Sequence, residues 1–280
     1  MIGDMIHTAT MTPSAFKSLI RRHYRRHGRN LPWRRTRDPY EILVSEIMLQ
    51  QTQVARVEGY YANFLARFPD IGALARASLA DVLSSWQGLG YNHRALYLRR
   101  AAREIVMRHG GAVPHDPVEL ARLPGIGPNT AGAIAAFAFN APTVFIETNI
   151  RRVYLHFFFA RRRRVPDAAL MPLIGRTLDR KNPREWYYAL MDYGAMLGAV
   201  RKGGENPNRR SRRYIRQTRF EGSDRQVRAA IIKLLLKEKS LAAKKIAGQL
   251  AEPPDRIRKI TASLIRDGLI KKSGADIGIA

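Results

Sequence analysis

Apolar positions recur at helical spacing over most of the chain, and strand-like alternation is almost absent. The spacing predicts a first basic helix from the Thr12-Pro13 boundary to about His27, with Pro13 in the first turn, where its missing N–H costs nothing. Gly28 to Pro39 reads as a loop containing Leu31-Pro32-Trp33-Arg34. Helical spacing resumes from Tyr40 to about Phe68, and several short helices follow. Asp116-Pro117 opens one that Leu123-Pro124-Gly125 closes, and Pro128 then opens a helix of small apolar residues, Thr130 to Phe139. Helical segments continue from about Asn149 and from Asp167 to Leu197.

Arg201 to Arg219 breaks the pattern, being rich in Gly, Pro, Asn and Arg and poor in aliphatic residues, and it reads as a connector. Beyond Ser223, the stretches Asp224–Lys237, Leu241–Leu250 and Pro254–Arg266 read as three short amphipathic helices, and 268–279 as two small strands around Ser273-Gly274. Three helices and a hairpin are the pattern of a winged helix. The fold class expected is all-α, with the main body at 1–200, a basic linker at 201–222 and a small winged-helix-like domain at 223–280.

Charge narrows the reading. The chain has 280 residues, 49 Lys and Arg against 23 Asp and Glu, and a formal net charge of +26. That imbalance points to a polyanionic partner: nucleic acid, an anionic membrane surface or an acidic protein. No apolar run reaches the length of a membrane span, so no membrane association of that kind is expected. The stretch MIGDMIHTATMTPS has neither a basic n-region nor an apolar h-region, so a secretory signal is not expected, and the default location is the cytoplasm, close to DNA. There is no cysteine, which removes disulfides, thiol catalysis, thiolate zinc sites and cysteine-ligated iron–sulfur clusters from consideration.

Leu123-Pro124-Gly125-Ile126-Gly127 ahead of the Pro128 helix is the first motif with a mechanism. Two glycines two apart let the turn take positive φ and leave N–H groups uncovered, and the following helix adds its own unpaired N–H groups and dipole. One backbone phosphate fits there, read without regard to sequence. An ordinary tight turn between helices is the plainer alternative; the basic charge and the small-residue helix Thr130-Ala131-Gly132-Ala133-Ile134 favour DNA.

Longer blocks extend this. Leu31-Pro32-Trp33-Arg34, Pro39-Tyr40 and Ser45-Glu46-Ile47-Met48-Leu49-Gln50-Gln51-Thr52-Gln53-Val54 come first. Trp86-Gln87-Gly88-Leu89-Gly90-Tyr91 with Arg94-Ala95, the hairpin, and Ala189-Leu190-Met191-Asp192-Tyr193-Gly194-Ala195 follow in order. In that order and at that spacing they resemble the adenine-specific mismatch DNA glycosylases, the MutY family of the helix–hairpin–helix superfamily. The resemblance implies two helical lobes, roughly 30–135 and 1–29 with 136–200, and double-stranded DNA bound across the cleft between them. The target base would rotate out of the stack, because its glycosidic bond is unreachable inside the duplex.

By the same resemblance Glu46 is the catalytic acid, and an apolar setting would keep it protonated to assist a purine leaving group. Gln50 would wedge into the stack, with Gln51 and Thr52 near the opposite strand. Trp33, Arg34 and Leu49 would line the base pocket, though Trp33 serves equally well as core. Leu89, Tyr91, His93 and Arg94, with Gly125, Gly127 and Thr130 of the hairpin, would face DNA. Asn149 would bind a phosphate or orient the catalytic carboxylate, and Asp192 would stand beside that pocket.

Four departures limit the resemblance. Glu147 stands where the family has an aspartate that stabilises the oxocarbenium-like sugar, so its carboxylate is one methylene further out. Asn129, counted with the pocket, stands where bifunctional relatives carry a Schiff-base lysine and adenine enzymes a tyrosine, which predicts a monofunctional enzyme. No cysteines follow the Asp192 block, so no iron–sulfur cluster and no protein-ligated metal is expected; a monovalent cation at the hairpin is left open. In place of the cluster stands Asn206-Pro207-Asn208-Arg209-Arg210-Ser211-Arg212-Arg213-Tyr214, either a solvated linker or a phosphate contact made by Arg209, Arg210, Arg212 and Arg213. Arg161–Arg164 reads as an exposed loop grazing DNA. Finally, the family's C-terminal 8-oxoguanine-reading domain is replaced here by the winged-helix pattern, and Asn92-His93 replaces an aromatic pair.

The function expected is a monofunctional glycosylase of base-excision repair, with adenine from A:8-oxoguanine or A:G the leading substrate. Uracil, thymine or a modified base in a mismatch is the enzymatic alternative, and a non-catalytic DNA-binding regulator the alternative of another class. A monomer is expected, with residues 223–280 available to bind DNA or a repair protein.

Overall fold

The computed structural model describes residues 11–199, 206–215 and 219–280. The N-terminal stretch 1–10 and the parts of the expected linker at 200–205 and 216–218 lie outside the described residues. Helices dominate: α1 (Pro13–His27), α2 (Pro39–Leu49), α3 (Val54–Arg67), α4 (Ile71–Arg76), α5 (Leu79–Trp86), α6 (His93–His109), α7 (Pro117–Arg122), α8 (Pro128–Phe139), α9 (Thr148–Phe158), α10 (Asp167–Thr177) and α11 (Pro183–Ala199). Then come α12 (Asp224–Glu238), β1 (Ser240–Ala242), α13 (Ala243–Leu250), α14 (Pro254–Arg266), β2 (Ile270–Ser273) and β3 (Asp276–Ile279). No helix among the described residues is long and apolar enough to cross a membrane.

The helix starts follow local chemistry. The side chains of Thr12, Asp38, Asp70, Ser78 and Asp116 each accept a backbone N–H in the first turn of the helix they precede. Proline sits at the first turn of α1, α2, α7 and α14. Two expected helical stretches are broken. Tyr40–Phe68 divides at Gln50–Gln53, where Gln51 takes a left-handed φ of 54°. Asp167–Leu197 divides at 178–182, where Asp179 accepts the Lys181 and Asn182 N–H groups at 3.1 and 3.3 Å.

The chain forms two compact units, one from 1–31 with 128–216 and the other from 32–127 with 217–280. The first is built on α1 and α8–α11. Phe16 of α1 is fully buried, its ring 5.4 Å from Tyr154 and 6.0 Å from Trp186. The extended segment after α8 runs back along that helix. Gly132 makes the approach possible, since a Cβ there would lie 2.9 Å from that of Phe145. Thr143 Oγ1 donates to Gly132 O at 2.7 Å, and Tyr187 donates to Thr143 O at 2.7 Å. This anchored segment delivers Glu147 to the start of α9.

The second unit holds α2–α7 and the C-terminal elements. β3 lies between β1 and β2, antiparallel to both, with Leu241 opposite Ile277 and Lys272 opposite Ile277 on the other side. The strand β1 differs from the expectation: Leu241 and Ala242 read as the start of the Leu241–Leu250 helix, and pairing with β3, distant in sequence, makes them a strand with Ser240. α12–α14 pack on this sheet, and Ile231, Leu235, Ile246, Ile257 and Leu264 of these helices are buried. Close packing on α6 is visible at Gly268, where a Cβ would meet the Arg100 guanidinium at 2.7 Å.

Candidate active site

In the second unit Glu46 is half-buried on α2, between the buried Ser45 and Ile47. Leu49 closes the helix, and Gln50, Gln51 and Thr52 form the turn after it rather than a helix face. A non-glycine residue in the left-handed region is strained, and Gln51 holds that strain while exposed. Gln50 Nε2 donates to Gly125 O at 3.3 Å, so the expected wedge residue and the hairpin are in direct contact. Tyr97 fills the space beside Gly125, where a Cβ would lie 2.7 Å from its own, and the His93 ring lies 5.9 Å from Tyr97 and 6.1 Å from Tyr91. Desolvation, with Arg94 and Arg228 nearby, lowers the His93 pKa and keeps the imidazole neutral more readily.

Several expected roles change. Arg94 does not point outward: it is 3% exposed and its guanidinium donates to the carbonyls of Ile47, Met48 and Gln50 at 3.0, 2.7 and 2.6 Å. It also reaches Thr52 Oγ1 at 2.9 Å and Gly90 O at 3.0 Å. Arg94 therefore satisfies the carbonyls at the end of α2 and shapes the turn that presents Gln50, with burial lowering its pKa to about 10, still charged at neutrality. Leu89 is buried, 2% exposed, and belongs to the core. Trp33 is core too, edge-on to Tyr61 at 5.6 Å, while Arg34 is half-buried. Gly125 has the positive φ expected, 77°, but Gly127 does not, and nothing lies within 4 Å of where its Cβ would be. Gly127 contributes open space over an exposed N–H turn rather than a special backbone.

The first unit carries Asn129, Thr130, Glu147, Asn149 and Asp192. Glu147 is the N-cap of α9: its Oε1 accepts the N–H groups of Asn149 and Ile150, both at 2.8 Å, and Oε2 accepts from Asn149 Nδ2 at 3.4 Å. The side chain folds back onto its own helix and the positive end of the dipole. Burial nevertheless raises its pKa, against the pull of those two N–H groups and of the Arg151 and Arg152 charges. Asn129 Oδ1 accepts the Ile146 N–H at 3.1 Å, fixing the residue before Glu147 to the first turn of α8, where Thr130 is half-buried. Asp192 is 3% exposed and accepts from Arg29 N and Nε at 2.8 and 2.7 Å. Gly194 of the same block brings α11 onto α9; a Cβ there would lie 2.7 Å from Asn149 Cβ.

Sequence reasoning missed Arg152. Its guanidinium donates to Asn149 Oδ1 at 2.8 Å and Gly194 O at 2.5 Å, holding Asn149 in place. A basic residue at the fifth position of α9 was the only signal available. The segment in the cluster's place is structured rather than a solvated linker. Pro207, Asn208 and Ser211 are buried, and Val165 pairs with Ser211 through N–H to Arg210 O at 2.7 Å and O from Arg212 N at 2.9 Å. Arg209, Arg212 and Arg213 are exposed and Arg210 half-buried. This donor set of amides, hydroxyls and guanidiniums, in a chain without cysteine, does not fit a cysteine-ligated iron–sulfur cluster.

Residues 44–171 match the family described as HhH-GPD superfamily base excision DNA repair protein. An adenine DNA glycosylase of Mycolicibacterium smegmatis is 35% identical over 268 residues, covering 88% of this chain and 89% of that one. This chain belongs to the adenine DNA glycosylase family. The adenine DNA glycosylase of Buchnera aphidicola subsp. Baizongia pistaciae is 36% identical over 192 residues, covering 67% of this chain, which spans only 54% of that relative's length. Among solved structures, a thermostable thymine-DNA glycosylase aligns with a TM-score of 0.61 at 27% identity, over 68% of this chain and 89% of that one. Family membership accounts for the ordered blocks, including the Glu46 helix and the hairpin.

Proposed function

We propose that this chain is a monofunctional DNA N-glycosylase that rotates a mismatched adenine out of the duplex and hydrolyses its glycosidic bond. The observation that carries the reading is Glu147: a carboxylate held at a helix N-terminus by two backbone N–H groups, in a member of the adenine glycosylase family. Glu46 protonates a ring nitrogen of the purine, so the base leaves with the bonding electron pair as a neutral species. Ionised Glu147 stabilises the positive charge that develops at the sugar C1′. Water then adds to C1′, loses a proton, and leaves an abasic site. Asn129 has no amine to form a Schiff base, so the backbone stays uncut.

The turn Gln50–Thr52, the hairpin around Gly125 and Gly127, and Tyr91 and His93 engage the duplex, while Arg209, Arg212 and Arg213 contact phosphates. Residues 223–280 act as a winged-helix-like part of the DNA-binding surface in a monomeric enzyme that needs no metal cofactor. A second reading, excision of thymine or uracil opposite guanine, is favoured by the likeness to the thymine-DNA glycosylase structure. The test is single-turnover base release from A:8-oxoguanine, A:G, T:G and U:G duplexes by the wild type, Glu46→Gln and Glu147→Gln. Adenine release that both substitutions lower by about 100-fold or more supports the proposal. Release of thymine or uracil with adenine left in place installs the second reading.

A further inference from the structure

The family resemblance places an iron–sulfur cluster after α11, and the residues present cannot hold one. We infer that the segment Asn206–Arg212 is a hydrogen-bonded clasp that fixes the first peptide of α9, and that Asn208 is a positioning residue for Glu147. This deepens the proposed function, on which it rests only for its kinetic consequence.

The argument turns on one peptide group. Asn208 Nδ2 donates to Thr148 O at 3.2 Å. The peptide that carries this carbonyl also carries the Asn149 N–H, which donates to Glu147 Oε1 at 2.8 Å. A peptide is planar and turns as a unit, so holding its oxygen fixes the direction of its N–H. Polarisation of the carbonyl by one donor also strengthens the N–H as a donor to the carboxylate. Asn208 thereby acts on Glu147 through the peptide between them, touching neither substrate nor carboxylate.

The clasp is itself anchored, which a positioning device requires. Asn206 Oδ1 accepts the Asn208 N–H at 3.1 Å, and the short pairing with Val165 on the far side ties Arg210 and Arg212 to the entry of α10. Asn208 is 7% exposed, and its Oδ1 has no hydrogen-bond partner among the described residues. A buried amide with half its capacity unmet costs stability, so an apolar side chain of similar volume would suit a purely structural role as well or better. What only the amide supplies is the donor to Thr148. The charges that act on Glu147 are Arg151 and Arg152 of its own helix, and Asp167 pairs with Arg151 and with Arg213.

The experiment compares the full-length wild type with Asn208→Leu, and with Asn208→Ser should the leucine variant fold poorly. Site-resolved amide hydrogen exchange is measured alongside duplex Kd and the single-turnover rate. The Asn149 and Ile150 amides should exchange faster by about tenfold or more while Val153 and Tyr154 do not change, Kd should stay within about twofold, and the rate should fall by roughly 10- to 100-fold. Unchanged exchange at Asn149 and Ile150, or faster exchange along all of α9, overturns the inference. So does a rate loss matched by an equal loss of affinity. If the wild type releases no base from any duplex the proposed function fails instead, and the exchange data still decide the clasp.

Discussion

Glu147 is held by its own helix. Folded back as the cap of α9, its carboxylate sits against two N–H groups and beside Asn149. Because burial raises its pKa, the native chain holds this proton more tightly than the unfolded chain does. Stability from this group therefore falls as pH climbs from the ordinary glutamate value through the raised native one. Urea unfolding across that window should show a slope that Glu147→Gln flattens. The proposed base release uses the ionised form, so the acid limb of its rate is expected to be displaced upward from the ordinary glutamate value, in the direction burial sets. Arg94 is the matching case in the other unit. Arg94→Met would strand several buried carbonyls at the end of α2 and cost about 3 kcal/mol or more, read as a drop in thermal stability. Arg94→Lys should not rescue it, since one ammonium cannot span the carbonyls that the fork reaches.

At the scale of elements, close approach decides more than propensity does. Gly194→Ala would drive a methyl into Asn149 and part α11 from α9, destabilising by about 1–3 kcal/mol and displacing Asn149 from Glu147. In the hairpin, Gly125→Ala meets both a left-handed φ and Tyr97, whereas Gly127→Ala meets neither. Thermal melts should separate them, the first lowered and the second unchanged. Most of the helices were legible because their ends are written locally: Thr12-Pro13, Asp38-Pro39 and Asp116-Pro117 cap and start helices without outside help. The strand Ser240–Ala242 was not, since its partner lies far along the chain. The same reason hid the inward turn of Arg94, the Asp192–Arg29 pair and the Asn208 bond to Thr148. Each residue was visible in a motif, but its partner was not.

For the whole molecule, the net charge of +26 makes DNA affinity a function of salt. If roughly six to ten phosphates are neutralised, duplex affinity should fall by about 10³–10⁵ between 50 and 200 mM salt, measured by fluorescence anisotropy. A slope near zero would mean that the charge serves another partner. The ordered motifs show family membership, and the carboxylates Glu46 and Glu147 with the amine-free Asn129 carry the chemistry proposed from it. The most direct test is a strand-scission assay under single turnover on an A:8-oxoguanine duplex, with and without alkali. The account predicts adenine release with scission only after alkali, because an abasic site is left intact. No release of adenine, or scission without alkali, would contradict it.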